Sequence, residues 1–309
     1  MIFLFVLIAF ENDCSRCEDN AHLLGIFPVM KQTLPDFLKP GDTIGLSATA
    51  RFATEAMIES ATALLERAGF KVYHHPNILL QNGQVAGSIL QRVHHFNDLI
   101  HHKEVKAIWN IRGGYGSAEI VDLVDWKYLQ KHPKWLIGFS DFTTFLCHGV
   151  QKGLVTLHAP MPVSFGTTNP DALQATINVL MGEEDYCHSL INEGLHGQII
   201  AGNLSVIYSI IGTPSLPNLN NSILILEDLD EYHYHLDRML TSMQRRGDFE
   251  GLRAVVLSNF TDIHDHEIPW KSNFMETLAA PFLEEGIPVY NFPLIGHGRE
   301  NWPILLRAL

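Results

Sequence analysis

From Asp42 onward, short apolar runs alternate with longer stretches of helical period, and this alternation restricts the possible folds more than any other feature. TIGLSA (43–48), KVYHH (71–75), VKAIWNI (105–111), KWLIGF (134–139) and LVTLHA (154–159) read as strands. Between them, residues 54–68 place Ile58, Ala61, Leu64 and Leu65 on one face and close at Gly69. Residues 91–103 repeat the helical pattern, Ser117 stands where it can cap a helix over 118–129, and another helix runs from Ser140 to about Lys152. Repeated strand–helix–strand units imply right-handed crossovers. They predict an α/β fold whose mostly parallel sheet is covered on both faces, a three-layer arrangement. Ligands of such sheets bind beyond the carboxyl ends of the strands, which puts the RGGYGS loop (112–117) and Ser140 on one rim.

Around 162–198 the pattern dissolves into PVSFGTTNPDA, one helix-like stretch and EGLHGQ, marking a boundary. Beyond it QIIAG (198–202), NSILILED (221–228), AVVLSNF (254–260) and IPVYNFPL (287–294) read as strands, with helices over 232–246 and 272–285. The expected organisation is a poorly structured extension over 1–29, an N-terminal α/β domain over 30–165, a linker over 166–197 and a smaller C-terminal α/β domain over 198–309. Two domains is also what 309 residues suggest, at roughly 100–200 residues each. The apolar run at 2–9 lacks a preceding lysine or arginine and a small-residue cleavage site. It is far shorter than the roughly 20 residues of a membrane span.

With 21 basic against 34 acidic residues, the net charge is −13, which argues against nucleic acid and anionic membranes as partners. Hydrophobic residues at 46% supply a sizeable core, so an acidic globular enzyme is expected. Four cysteines (Cys14, Cys17, Cys147, Cys187) make no disulfide framework, and the lone Cys14–Cys17 pair is half a zinc site at most. A reduced, cytoplasmic protein is the expectation.

Ser140 sits in LIGFSDFTT, between a buried strand and a helix. Such a turn projects the hydroxyl from the sheet rim, where the Asp141 amide can stabilise an oxyanion. Phe142 replaces the second glycine of a G-x-S-x-G elbow, and a plain helix-capping serine is the competing reading. In RGGYGS, Gly113 and Gly114 permit close backbone approach and could turn amides toward an anion. The loop is neither a Walker A loop nor G-x-G-x-x-G, and a plain tight turn is the alternative. Among 17 histidines, the pairs His74–His75, His94–His95 and His101–His102 read as surface or part-buried groups. His264 and His266 flank Asp265 but lack further metal ligands. His297 follows an apolar strand between Gly296 and Gly298, which leaves its ring unobstructed. Glu227 ends NSILILED, either facing a site or opening an acidic turn. Ser140, Glu227 and His297 thus offer a nucleophile, an orienting acid and a base in that chain order.

KPGDTIGLSA, AIWNIRGGYGS, LIGFSDFTT, AGNLS, SILILED and GHG, in this order and spacing over residues 30–303, resemble the LD-carboxypeptidase family. These are serine peptidases of muropeptide recycling, related to the microcin C immunity peptidases. The resemblance implies a nucleophile at Ser140, an acid at Glu227 and a base at His297. It also implies an oxyanion site from the Gly114 and Asp141 amides, with Gly113 and Arg112 beside it and the whole site in the cleft between the domains. The implied reaction is hydrolysis of the amide between the L-centre of the third stem residue and terminal D-alanine of murein tetrapeptides. It implies no metal or cofactor, and a homodimer. Arg112 or its loop would hold the substrate's terminal carboxylate, unless Arg112 pairs with a neighbouring acid. Phe139 stands where the family usually has tyrosine, and the chain stops at Leu309 where relatives run on for a short segment. A peptidyl-nucleotide or other acyl-amide substrate, or a non-enzymatic peptide- or sugar-binding protein, are the other readings.

Overall fold

The computed structural model describes residues 6–7, 32–183 and 197–308. The expected extension over 1–29 lies outside the described residues apart from Val6–Leu7, as do Cys14, Cys17 and Cys187 and the linker segment 184–196. In chain order the first half contains β1 (Val6–Leu7), β2 (Thr43–Ser47), α1 (Glu55–Arg67), β3 (Lys71–His74), α2 (Ile89–His101), β4 (Val105–Asn110), α3 (Ser117–Ile120), α4 (Trp126–Lys131), β5 (Trp135–Gly138), α5 (Thr143–Gln151) and β6 (Thr156–His158). After α6 (Pro170–Met181) follow β7 (Gln198–Asn203), α7 (Leu204–Ser209), β8 (Ser222–Leu229), α8 (His233–Arg245), β9 (Ala254–Thr261), α9 (Phe274–Glu284), β10 (Val289–Asn291) and β11 (Ile304–Ala308).

The strands form one eleven-stranded sheet in the order β1-β10-β9-β8-β7-β11-β6-β5-β4-β2-β3. Pairing within β10-β9-β8-β7 and within β6-β5-β4-β2-β3 is parallel. Helices cover both faces of parallel sheets, which explains why the central strands are apolar without alternation. Ile44, Leu46, Ile108, Ile137, Leu157, Ile225 and Leu257 are all essentially inaccessible, each contributing about 1.5–3 kcal/mol. Local signals set the helix starts. Thr54 accepts from the Met57 amide at the head of α1, and Ser88 and Gln91 form a reciprocal capping box on α2.

Two expectations are corrected. The helix expected over 118–129 is broken into α3, a short 3₁₀ turn at Val121–Leu123, and α4. Val124 is extended, and the Asp125 carboxylate accepts from the Tyr128 amide, starting a new helix there. Nor does Ser117 cap α3: Gly116 at φ 142 precedes it, while the Ser117 hydroxyl meets Thr49 Oγ1 at 2.8 Å. The sequence reading also lacked β11, which runs antiparallel to both β6 and β7 and joins the two halves.

Candidate active site

Strand β5 is wholly buried and delivers the chain to the rim. There Phe139 is extended, Ser140 takes φ 59, and a 3₁₀ turn (Ser140–Phe142) leads into α5. A positive φ is costly for a serine and persists only where the surroundings impose it. Gly138 permits the turn, since a methyl there would meet the Phe142 ring at 2.7 Å. Ser140 makes no capping bond. Its Oγ lies 3.1 Å from His297 Nε2, and His297 Nδ1 lies 2.8 Å from Glu227 Oε2. The capping reading of Ser140 is therefore replaced by a serine–histidine–carboxylate chain that crosses the two halves of the molecule.

Glu227 is the sixth residue of β8, which continues to Leu229, and its side chain is fully buried. The solvated acidic turn begins only at Asp230. Asp228 is buried as well; burial first, then repulsion from Glu227, raise its pKa to about 6. Its carboxylate accepts from Asn203 Nδ2 at 2.7 Å and the Ser205 amide at 2.9 Å, while Asn203 caps α7. The His297 loop is pinned by β9, where Ser258 Oγ accepts from the Leu294 and Ile295 amides at 2.8 and 2.7 Å. Gly296 is demanded by φ 141 and by Asn259 Cβ, which a methyl would meet at 2.7 Å, whereas Gly298 is in open space. Burial alone would lower the His297 pKa. The charge and hydrogen bond of Glu227, aided by Asp228, outweigh it and hold the imidazole above its ordinary value. With the proton on Nδ1 and donated to Glu227, Nε2 is free to take the Ser140 proton, an arrangement suited to acyl transfer.

The RGG loop follows β4 and touches the serine. A methyl on Gly113 would lie 2.7 Å from Ser140 Oγ, 2.9 Å from Ser140 Cβ and 3.5 Å from the Asp141 nitrogen. Gly114 takes φ 123. Among the described residues no acceptor meets the Gly113 or Gly114 amide. The Asp141 carboxylate accepts from the Ser117 amide at 2.9 Å and so locks this loop to the serine turn. Burial raises its pKa despite those hydrogen bonds. Buried Arg92 ties the same loop to its neighbour, donating to Thr49 O at 2.9 Å, Gly116 O at 2.8 Å and Glu119 Oε2 at 2.6 Å. Arg112 meets no carboxylate among the described residues; its Nη1 donates to Phe52 O at 3.4 Å.

All seven residues singled out in the sequence converge here. The other candidates do not: His75 stacks on His95 beside β3 and α2, and His264 pairs with Asp230 at 2.6 Å. Among the described residues no group of three or more His, Cys, Asp or Glu could hold a metal ion. Sequence reasoning missed Arg51, Arg92, Asp228, Asn203, His158 and Asn301. His158 Nε2 meets Asn301 Oδ1 at 3.0 Å behind the triad, and burial lowers the His158 pKa to about 4. Arg51 was findable, because it lies in the loop after β2, on the same rim as Ser140.

A family model described as the LD-carboxypeptidase N-terminal domain matches residues 44–159, and one described as the LD-carboxypeptidase C-terminal domain matches 196–309. A probable murein peptide carboxypeptidase of Bacillus subtilis is 28% identical over 275 residues, spanning 85% of this chain and 86% of that protein. A murein tetrapeptide carboxypeptidase of Pseudomonas aeruginosa is 28% identical over 278 residues, spanning 84% and 90%. Among solved structures, the microcin C7 self-immunity protein MccF aligns with TM-score 0.79 and 22% identity, covering 89% of this chain and 94% of its own. A muramoyltetrapeptide carboxypeptidase from Oxalobacter formigenes aligns with TM-score 0.72 and 21% identity, covering 86% and 92%.

Proposed function

The chain belongs to the LD-carboxypeptidase family and is a serine-type carboxypeptidase, and from that premise we propose that it removes the terminal D-alanine from murein tetrapeptides. One observation carries the assignment of roles: the hydrogen-bonded chain from Ser140 through His297 to Glu227, on a serine held at positive φ. Ser140 Oγ attacks the carbonyl of the third stem residue while His297 takes its proton. The oxyanion is met by the Gly114 and Asp141 amides, Gly113 giving the space for approach, each donor contributing about 10²–10³ in rate. His297 then protonates the departing D-alanine nitrogen. A water activated by the same imidazole hydrolyses the acyl-enzyme. Glu227 keeps the imidazole in one tautomer and stabilises its cation. Arg112 serves substrate binding.

The proposal includes a C-terminal domain over 198–309 joined through 166–197 to a domain over 30–165. The gap between the two matched family models supports this division. It also includes a cytoplasmic setting, in keeping with the unpaired, buried Cys147, and a homodimer, on the family resemblance. No helix among the described residues is long and apolar enough to cross a membrane.

The test is D-alanine release from a murein tetrapeptide by the wild type, Ser140→Ala and His297→Ala, with a chelator present throughout. Wild-type release that survives the chelator and is lost in both variants is expected. Undiminished release by Ser140→Ala would overturn the nucleophile. Turnover of an aminoacyl sulfamoyl nucleoside in place of the tetrapeptide would replace the substrate.

A further inference from the structure

Strand β2 connects onward to β3 on one side, whereas β4 connects to β5 on the other. Loops that diverge in this way open a crevice at the rim of a parallel sheet, its usual place for ligands. Two arginines line this crevice. Arg51, in the loop after β2, is exposed, and its Cβ packs on the RGG loop, 2.8 Å from where a methyl on Gly114 would lie. Arg112 opens the RGG loop and reaches the Phe52 carbonyl, which places its guanidinium against the backbone next to Arg51. Its Nε is buried without a partner. Neither guanidinium meets a carboxylate among the described residues, although acids outnumber bases 34 to 21 in the chain and nearby Arg92 is paired with Glu119. Burial, and then the charge of Arg51, lower the Arg112 pKa. Two like charges side by side, one of them part-buried, are unfavourable until an anion joins them.

Chain spacing identifies that anion. Gly113 lies against Ser140 and Gly114 against Arg51, so the nucleophile and Arg51 face successive residues of the loop, and Arg112 is held beside Arg51 by the Phe52 carbonyl. The terminal carboxylate of a carboxypeptidase substrate lies one residue beyond the carbonyl under attack, about 3.8 Å between successive Cα atoms. We infer that Arg51 and Arg112 together clamp the C-terminal carboxylate of the leaving residue, and that this clamp makes the site an exopeptidase. The inference rests on the carboxypeptidase reading above and adds to it the residue that rejects internal peptide bonds. A substrate continuing past this point presents a neutral amide and leaves both guanidiniums unpaired. The planar forks of two arginines suit a carboxylate, and Arg51 is the freer of the two to close on it.

The experiment compares kcat/KM for a murein tetrapeptide with that for the same peptide ending in D-alaninamide. Both are measured on the same preparation, so a misfolded fraction lowers both rates and leaves their ratio unchanged. The wild type is expected to favour the acid by about 100-fold, and Arg51→Gln to lower that ratio by about 30-fold, as loss of a charge-assisted contact implies. Arg51→Lys should recover part of it. An unchanged ratio in Arg51→Gln overturns the clamp. If the wild type cleaves neither peptide, the proposed activity falls instead. The clamp is then judged by protection of Ser140 from a fluorophosphonate: stronger protection by the acid in the wild type but not in Arg51→Gln upholds it, and equal protection overturns it.

Discussion

Replacing Gly113 by alanine tests the geometry of the nucleophile with almost no other change. Gly113 is not among the glycines at positive φ, so alanine there carries no backbone penalty. Its methyl would stand 2.7 Å from Ser140 Oγ and 2.9 Å from Ser140 Cβ. Ordinary contacts between carbon atoms lie at about 3.5–4.0 Å, so the serine must retreat by about 0.7–1 Å. That movement stretches or breaks the 3.1 Å bond to His297 Nε2. A displacement of about 1 Å at a reacting group can cost about 10² in rate, so kcat for D-alanine release should fall about 100-fold, with KM within a few-fold of wild type. Thermal unfolding followed by circular dichroism should show a smaller loss than in Gly114→Ala. That variant adds strain at φ 123 to a clash with Arg51. If Gly113→Ala keeps a kcat within three-fold of wild type, Ser140 is not held against the RGG loop and the reasoning fails.

Glu227→Gln should lower kcat about 10³- to 10⁴-fold, because an amide no longer selects the productive imidazole tautomer. In the wild type the acid limb of kcat/KM should lie above 6.5, the ordinary histidine value, and in Glu227→Gln below it, since burial, the largest influence, is then opposed only by the smaller effect of Asp228. A raised histidine pKa adds stability that is complete below its unfolded value and fades as pH rises through the folded one. Urea unfolding should therefore find Glu227→Gln more destabilised at pH 5.5 than at pH 8.5, and the opposite order would contradict the assignment. Arg92→Met should cost about 3 kcal/mol in the same assay, as the Thr49 and Gly116 carbonyls and Glu119 lose their buried donor. A cost under about 1 kcal/mol would show that these bonds do not hold the loop.

The parallel strands and their helices were legible because buried strands are apolar in blocks and helices carry a 3.6-residue period. The residues of the proposed triad were legible because Ser140, Glu227 and His297 each stand at or near the end of such a block. β11 was not, because PILLRAL at 303–309 is too short to separate strand from helix by period, and its partners lie far away in sequence. The break at Val124 was hidden for a related reason: Asp125 fits a helix interior by period, and only its contact with the Tyr128 amide shows it to be a start. Arg51 carries no signal beyond its place in the loop after β2, on the rim that Ser140 shares. Its meaning comes from lying beside Gly114, 63 positions later in the chain.

Ser140, the proposed nucleophile, belongs to one half of the molecule and Glu227 and His297, the proposed acid and base, to the other, yet the bond that joins the halves, from Ser140 Oγ to His297 Nε2, spans only 3.1 Å. A cleft between freely hinging domains would hold such geometry only when closed. Here β11 lies between β6 and β7, with Ile304 paired to His158 and Arg307 to Ile199, so a backbone ladder runs through the boundary. The segment before β11 is the one that carries His297. It is fixed to both halves: Asn301 Oδ1 meets His158 Nε2 on β6, and Asn259 on β9 donates to the Glu300 carbonyl at 3.0 Å. The strand that joins the halves thus also tethers His297, the proposed base, and β5 on the far side of β6 presents Ser140. Sheet hydrogen bonds therefore set the distance between Ser140 and His297, which makes the catalytic arrangement a property of the resting fold.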